Sequence, residues 1–258
     1  MRDEDMDLQL SGRRSLVTGG TKGIGRAIVE TFAAEGAAVS FCSRTEPDVT
    51  ALVKDLRDRG VTATGAAVDV ADGAALARWV EQSADELGGV DIVVANVSAL
   101  AIPDEEANWQ RSFEVDMMGT VRLVNAALPY LERSDAASIV TVGSVSGREI
   151  DFAAGPYGTF KAAIAHYTQG LAYQLADKGI RANTVSPGNT YFPDGVWATI
   201  EAGNPELFGQ AMALNPTGRM GTPEEVGRTV AFVASPLSSR MSGANVLVDG
   251  ALTRAVQL

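Results

Sequence analysis

The sequence predicts an α/β protein built on one doubly wound parallel sheet, and three observations support that prediction. Short runs rich in β-branched residues alternate with longer amphipathic runs, which is the pattern of strands joined by helical crossovers. No repeat, low-complexity tract or linker divides the 258 residues. A chain of this length that is 46 % hydrophobic can bury one large core. We therefore expect a single domain over residues 11–258, preceded by a flexible acidic tail over residues 1–10.

Apolar periodicity and helix-ending glycines define the first half of the predicted fold. The β-branched run 14–18 precedes a segment with apolar residues at every third or fourth position, which indicates a helix that ends near Gly36. Leu52 and Leu56 share one face of a second helix, and Gly60 follows it. In chain order we predict strand 14–18, helix 23–34, strand 37–42, helix 49–59, strand 62–68, helix 74–87 and strand 90–95.

The second half continues the alternation and contains the longest predicted helices. Phe113, Met117, Val121, Val124 and Leu128 fall on one helical face, which predicts one long helix across all five. Because strands joined by helical crossovers run parallel, we expect helices on both faces of the sheet. The elements of this half are helix 109–131, strand 138–142, helix 156–178, strand 180–185, helix 223–234 and strand 244–248.

Composition and charge exclude several classes of function. The net charge is −11 and the Lys and Arg residues form no run, which argues against nucleic acid and anionic membrane surfaces as partners. No apolar stretch reaches the length of a membrane span, and the acidic N-terminus is unlike a signal peptide, so we expect a cytoplasmic protein. One cysteine, Cys42, and one histidine, His166, cannot supply a zinc site, and we expect no bound metal.

The first predicted strand ends in a glycine-rich turn that leads directly into a helix. The turn reads Thr18-Gly19-Gly20-Thr21-Lys22-Gly23-Ile24-Gly25. Glycines let the backbone turn sharply and approach a pyrophosphate, and a helix N-terminus offers free N–H groups and the positive end of its dipole. A tight turn without a ligand is the alternative, but the strand, glycine-rich turn and helix in this order favour a dinucleotide site.

The segment Tyr157-Gly158-Thr159-Phe160-Lys161 carries the candidate chemistry. On a helix, residues four apart share a face, with Cβ atoms roughly 5–6 Å apart. A cation at such a distance stabilises the ionised form of a phenol, which can then exchange protons closer to neutral pH. An amphipathic helix that carries both residues by chance is the alternative, so the pair gains meaning only together with the glycine-rich turn.

Together these motifs resemble the short-chain dehydrogenase/reductase family, in which Thr-Gly-x-x-x-Gly-x-Gly and Tyr-x-x-x-Lys occur in this order. The resemblance spans residues 11–250 and implies a Rossmann-type fold. Three sites depart from the family pattern: Asn-Asn-Ala-Gly reads Ala95-Asn96-Val97-Ser98, an Asn of the long helix is Asp116, and the terminal Asp-Gly-Gly reads Asp249-Gly250-Ala251. Further matching segments are Asp69-Val70, Val142-Gly143-Ser144, Ser186-Pro187-Gly188, 218–226 and 242–250.

The resemblance implies a role for each residue of the catalytic centre. Ser144, thirteen residues before Tyr157, would polarise the substrate carbonyl, and the neighbouring Ser146 is the less favoured alternative. Tyr157 would donate the proton during reduction, while Lys161 would hold the cofactor ribose. Asp116 would act through its backbone carbonyl, which in the family holds a proton-relay water. The implied cofactor-binding residues are Gly19, Thr21, Lys22, Gly23, Ile24, Gly25, Ser43, Arg44, Asp69, Val70, Asn96, Val97, Ser98, Tyr157, Lys161, Pro187, Gly188 and Thr190.

The charge after the second strand favours NADP over NAD. NAD sites usually place an acid there to meet the ribose hydroxyls, whereas a 2′-phosphate requires cations. This chain has Ser43-Arg44 at that place, and Lys22 in the glycine-rich turn offers a second cation. The alternative is that Arg44 and Lys22 are ordinary solvated charges.

The substrate side is less defined by the sequence. Residues 189–217 form an irregular stretch with several aromatic residues interrupted by Gly and Pro, which we interpret as a mobile apolar lid, with core packing or an oligomer contact as equal alternatives. Residues 99–102 would form the opposite wall and suggest a partly apolar ketone or aldehyde. An acidic acyl carrier protein is a less natural partner for a chain of net charge −11.

The sequence therefore predicts an NADP-dependent oxidoreductase that reversibly reduces a small-molecule ketone or aldehyde. The alternative hypothesis is an NAD(P)-binding regulatory protein of the same fold with little or no turnover. Retention of Ser144, Tyr157 and Lys161 together argues against it, because a sensor needs no proton relay. The resemblance also implies a homotetramer or homodimer, with helices 109–131 and 156–178 as contact faces.

Overall fold

Seven parallel strands form one sheet in the computed structural model, which describes residues 7–256. The strand order is β3-β2-β1-β4-β5-β6-β7, so the chain reverses its direction of progress across the sheet between β1 and β4. In doubly wound sheets this reversal opens a crevice at the carboxyl ends of the strands. The predicted fold class is therefore confirmed. The strands are β1 Arg14–Thr18, β2 Ala38–Ser43, β3 Ala63–Ala67, β4 Ile92–Ala95, β5 Ser138–Val142, β6 Arg181–Pro187 and β7 Asn245–Val248.

Helices cover both faces of the sheet and bury two hydrophobic clusters. On one face, α1 and α9 pack over β1, β2 and β5 around Phe32, Phe41 and Val230. On the other face, α3, α5 and α6 bury Trp79 and Leu123 with their neighbours. The helices are α1 Gly23–Ala34, α2 Glu46–Asp58, α3 Gly73–Leu87, α4 Glu106–Ser112, α5 Gly119–Leu131, α6 Pro156–Gln174, α7 Val196–Gly203, α8 Pro205–Ala213 and α9 Pro223–Ala234.

The prediction of one regular helix over residues 109–131 is wrong for residues 113–118, which are π-helical. Helix α4 begins at Glu106, and a π-helical segment, Phe113–Met118, separates it from α5. A π-helical turn contains one more residue than an α-helical turn, and such segments occur frequently at functional sites. Phe113, the first residue of the predicted apolar face, is 45 % exposed, so the apolar spacing reveals neither the buried side of this region nor the inserted residue. The segment places the Asp116 side chain in the protein interior, 1 % exposed.

Residues 189–217 contain two helices, whereas the sequence indicated an irregular stretch. Helices α7 and α8 are only eight and nine residues long, too short for a clear apolar period. Asn204 separates them, and its side-chain oxygen accepts a hydrogen bond from the Leu207 N–H at 3.1 Å, which caps α8. The segment buries its own small cluster of Trp197 and Ala211 with Met220.

The N-terminal boundary of the folded chain also differs from the prediction. Leu10 is fully buried, and Leu8 packs against the same core cluster, so the predicted flexible tail does not extend to residue 10. The prediction of a flexible tail relied on the acidic composition of residues 1–10 and overlooked these two apolar residues. Residues 1–6 lie outside the described part of the chain. Within residues 7–256, no helix has the length and apolar character needed to cross a membrane.

Candidate active site

The sequence-predicted site residues converge on one cleft at the carboxyl ends of the central strands. The cleft has a volume of about 940 Å³. Asp116 does not line it and lies behind Lys161 instead. The predicted residues that line it are Gly19, Thr21, Lys22, Gly23, Ile24, Gly25, Ser43, Arg44, Asp69, Val70, Asn96, Val97, Ser98, Ser144, Tyr157, Lys161, Pro187, Gly188 and Thr190.

The glycine-rich turn holds the N-terminus of α1 open toward the cleft. Gly19 adopts a φ of 71°, a conformation that favours glycine, and its N–H donates to the Cys42 carbonyl at 2.8 Å. A Cβ atom on Gly25 would lie 2.1 Å from the Gly19 carbonyl oxygen, so only glycine fits there. The N-cap of α1, Lys22, makes no side-chain capping bond within the described residues. The first-turn N–H groups are thus available to an anion, and the turn fits a dinucleotide pyrophosphate.

Asn96 joins the glycine-rich turn to the end of β4. Its side-chain amide donates to the Thr18 carbonyl at 3.0 Å and to the Gly19 carbonyl at 3.4 Å. Its backbone N–H donates to the Thr18 hydroxyl at 3.0 Å. This single Asn therefore fixes the two strand ends between which the cleft opens, although the family pattern of two Asn residues is reduced to one.

Two cations border the cleft, one after β2 and one in the glycine-rich turn. Arg44 is exposed, and among residues 7–256 no carboxylate lies within ion-pair distance of it. Lys22 Nζ lies 3.6 Å from Asp48 Oδ2, an acid that the sequence interpretation did not consider. Cys42 is a buried strand residue, as expected, and burial raises the pKa of its thiol to about 12.

Ser144 has a hydroxyl hydrogen available for a ligand. It follows β5 and is 8 % exposed, and its Oγ accepts a hydrogen bond from the Ser146 N–H at 3.1 Å. The Ser146 hydroxyl donates to Asp151 Oδ2 at 2.6 Å, so its own hydrogen is already engaged. This difference favours Ser144 over Ser146 as the group that would polarise a carbonyl oxygen.

Tyr157 and Lys161 lie in the first two turns of α6, which begins at Pro156. Lys161 is 3 % exposed, and its Nζ lies 5.7 Å from the centroid of the Tyr157 ring. The ammonium donates to the Val142 carbonyl oxygen at 3.0 Å, a bond that ties α6 to the end of β5. Tyr157 is half-buried at the cleft surface. A buried cation thus lies beneath a phenol that a ligand can reach.

Asp116 faces Lys161 with its side chain. One carboxylate oxygen, Oδ2, accepts a hydrogen bond from the Ala99 N–H at 2.9 Å. The other, Oδ1, lies 3.6 Å from Lys161 Nζ and has no hydrogen-bond partner. The backbone carbonyl accepts a hydrogen bond from the Thr120 hydroxyl at 2.7 Å. The sequence interpretation considered only this backbone carbonyl and missed the side-chain ion pair.

The far end of the cleft is apolar. Leu100 and Ile102, from the segment predicted as a wall, lie there with Val196 and Trp197 of α7. The sequence interpretation missed Phe152, whose ring packs edge-on against Trp197 with centroids 5.7 Å apart. Phe152 belongs to no sequence motif or apolar period, because it lies in an irregular loop between β5 and α6.

His166 lies outside the cleft, and Phe192 lies at its glycine-rich end. His166 is exposed on α6 and borders a separate polar hollow with Arg148 and Gln169. Within residues 7–256, no three His, Cys, Asp or Glu side chains group as metal ligands would. Phe192, in contrast, lies over the glycine-rich turn, since a Cβ atom on Gly23 would be 2.5 Å from its ring.

Comparisons with known proteins give consistent matches over nearly the whole chain. The profile of a family described as enoyl-(acyl carrier protein) reductase matches residues 19–253. An isoepoxydon dehydrogenase of Penicillium expansum is 42 % identical over 248 residues, which cover 94 % of this chain and 95 % of that protein.

Solved structures give the same match in three dimensions. L-sorbose reductase from Gluconobacter frateurii, complexed with NADPH and L-sorbose, superimposes with a TM-score of 0.88 at 26 % identity and covers 97 % of this chain and 100 % of that one. A 7α-hydroxysteroid dehydrogenase, complexed with NADH and 7-oxo glycochenodeoxycholic acid, has a TM-score of 0.88 at 25 % identity and covers 95 % of this chain and 96 % of that one.

Proposed function

We propose that this chain, which belongs to the short-chain dehydrogenase/reductase family and is an oxidoreductase, uses NADPH to reduce a ketone or aldehyde to an alcohol. One observation carries the proposal: the Ser144 hydroxyl hydrogen, the Tyr157 phenol and the buried Lys161 ammonium meet in the same cleft as the open N-terminus of α1. Carbonyl reduction by a dinucleotide requires a hydrogen-bond donor, a proton donor and a site for the anionic pyrophosphate.

The residues of the cleft divide the proton chemistry between them. NADPH in such a site supplies the hydride that the carbonyl carbon receives. Ser144 donates a hydrogen bond to the carbonyl oxygen and stabilises the charge that develops there. Tyr157 transfers its proton to that oxygen, and the Lys161 cation stabilises the phenolate that remains. In the reverse direction, the phenolate accepts the proton of the alcohol.

Charge at the adenosine end supports NADPH as the preferred cofactor. Arg44 is exposed and unpaired among the described residues, and Ser43 stands where an acid would repel a 2′-phosphate. Lys22 reinforces this charge, although Asp48 offsets part of it. The solved relatives include complexes with NADPH and with NADH. Dissociation constants for the two reduced cofactors test the preference, and equal values would contradict it.

The apolar end of the cleft supports a partly apolar carbonyl substrate. Leu100, Ile102, Phe152 and Trp197 offer hydrocarbon surface beside the reacting groups. The name of the Penicillium relative, isoepoxydon dehydrogenase, suggests isoepoxydon as the first compound to try. We assign residues 189–217 as the lid over this substrate, since Phe192 already covers Gly23 and Trp197 meets Phe152 from across the cleft.

We also propose that the chain forms a homodimer or homotetramer through the face that carries α4, the π-helical segment and α6. Phe113 of the π-helical segment and Tyr173 of α6 are 45 % and 88 % exposed, which is costly for apolar surface in an isolated protomer. Analytical ultracentrifugation tests this. A single species of 26.9 kDa would contradict it.

A panel assay tests the proposed reaction. NADPH oxidation is followed by absorbance against ketones, aldehydes, diketones and acyl thioesters, with Tyr157→Phe protein in parallel. We expect turnover with one class, and a loss of about 10²- to 10⁴-fold in the variant, because the proton donor is removed. Tight NADPH binding without turnover of any class would contradict the proposal.

A further inference from the structure

Asp116 places a negative charge where the family pattern has a neutral side chain. The carboxylate is 1 % exposed, and the Ala99 N–H holds one of its oxygens at 2.9 Å. The other oxygen is buried, has no hydrogen-bond partner and lies 3.6 Å from Lys161 Nζ. A buried acceptor without a partner is costly unless a charge compensates for it. Lys161 is the charge that faces it.

The ammonium of Lys161 has donors for this arrangement. One of its three N–H groups donates to the Val142 carbonyl at 3.0 Å. A second is within reach of Asp116 after a small adjustment, since the two atoms are 3.6 Å apart. The third remains for a cofactor ribose in the cleft. The ion pair therefore fixes the lysine without occupying the donor that binding requires.

Other charged groups near this pair are engaged elsewhere. Glu114, on the same π-helical segment, is exposed and pairs with Arg122 at 3.0 Å. Asp151, in the loop after β5, accepts hydrogen bonds from Ser146 and from the Ala153 N–H. The element that follows the π-helical segment, α5, presents Thr120 here, and the segment after β4 presents the Ala99 N–H. Among residues 7–256, Asp116 is the carboxylate within ion-pair distance of Lys161, and the Tyr157 ring lies 5.7 Å from the Lys161 ammonium.

We propose that the Asp116 carboxylate is a positioning residue that holds Lys161 by a direct ion pair and thereby sets the pH range in which Tyr157 exchanges its proton. The inference rests on the proposed function, since it concerns the same proton donor. The Lys161 cation favours the phenolate form of Tyr157, and the Asp116 anion offsets part of that cation. A neutral residue at position 116 therefore leaves a larger net positive field, and the phenolate forms at lower pH.

The titration of Tyr157 tests this without requiring turnover. Phenolate absorbance in the ultraviolet is recorded against pH for the wild type and for Asp116→Asn, each minus the same protein carrying Tyr157→Phe. The Asn side chain can retain the bond from the Ala99 N–H. We expect the midpoint of the difference signal to fall by about one pH unit. An unchanged or higher midpoint would overturn the inference.

Two comparisons separate a charge effect from damage to the fold. Asp177→Asn removes the same charge from an exposed turn after α6 and should leave the midpoint unchanged. Asp116→Glu, which retains the charge, should restore a midpoint close to the wild-type value. Should Asp116→Asn fail to fold, Asp116→Ser provides the neutral side chain for the same titration. A shift in Asp177→Asn as large as that in Asp116→Asn would also overturn the inference.

The rate profile provides a second readout. In Asp116→Asn, we expect the dependence of kcat on pH to move to lower pH while its maximum stays within about tenfold of the wild type. A merely structural role would lower kcat equally at every pH and would overturn the inference. If the wild type reduces no carbonyl, the proposed function fails, whereas the phenolate titration still decides the role of Asp116.

Discussion

The two ends of the cleft are built in contrasting ways. At the catalytic end, Ser144, Lys161 and Asp116 are each less than a tenth exposed, and each makes a hydrogen bond with the backbone of β5 or of the segments that follow β4 and β5. At the substrate end, α7 and α8 share a cluster of three buried residues, and Leu100 and Phe152 are about half exposed. The proposed function assigns the reaction to residues held by the sheet, and the choice of substrate to a separately packed segment.

The sharpest test of this contrast is Ser144→Ala. Loss of the hydrogen-bond donor to the developing oxyanion should lower kcat about 10²- to 10³-fold, with little change in the Kd for NADPH. Ser146→Ala is the matched control, because the hydrogen of that hydroxyl is bound to Asp151. Steady-state kinetics measure both. Equal losses in the two variants would mean that Ser144 has no special role.

Truncating a buried side chain should affect the free energy of unfolding at the catalytic end and substrate binding at the substrate end. Ile139→Ala in β5 should lower the free energy of unfolding by about 2–5 kcal/mol, because the side chain is fully buried in the main core. Trp197→Ala should raise KM roughly tenfold, since substrate contact is lost, with a smaller effect on global unfolding. Chemical denaturation and kinetics of both variants check this. If Trp197→Ala destabilised the chain as much as Ile139→Ala, the segment would not be a separate unit.

Cofactor choice should depend on Arg44 more than on surface cations outside the cleft. Arg44→Ala should raise the Kd for NADPH about 10- to 100-fold, the loss expected for one charged hydrogen bond, and leave that for NADH unchanged. Lys54→Ala, an exposed cation of α2 that pairs with Asp58, is the control. Fluorescence titration with both cofactors measures the effect. A parallel loss of NADH affinity would show that Arg44 does not read the 2′-phosphate.

The smallest expected effect concerns the N-terminal cap of α9. The hydrogen bonds from Arg219, and then from the Thr222 backbone, lower the pKa of Glu225 from 4.5 to about 2. Since the folded chain favours the ionised form, the stabilisation is complete above pH 4.5 and is lost as pH falls toward 2. Glu225→Gln should therefore cost about 0.5–1 kcal/mol of unfolding free energy at pH 7, a value reduced for solvent screening.

Unfolding at several pH values checks the Glu225 prediction. The difference between the wild type and Glu225→Gln should shrink as the pH is lowered from 4.5. A difference independent of pH would assign the effect to the capping hydrogen bonds with Thr222 rather than to the charge.

The sequence predicted the catalytic end of the molecule better than the substrate end, for physical reasons. Gly25 is constrained by a backbone that approaches to 2.1 Å of its missing Cβ, so the turn can be recognised from residue types alone. Phe152 and Phe192, in contrast, reach the cleft from loops whose paths depend on tertiary packing. The Asp116 ion pair required the π-helical segment, which adds a residue that apolar periodicity does not reveal.

Transfer of deuterium from the cofactor to the product tests the proposed carbonyl reduction. NADPH carrying deuterium at the transferable position of the nicotinamide is incubated with the protein and the carbonyl panel, and the alcohol products are examined by mass spectrometry. We expect one deuterium on the former carbonyl carbon of a single substrate class, and almost none with Tyr157→Phe. Products without deuterium, or no product from any carbonyl compound at saturating NADPH, would contradict it.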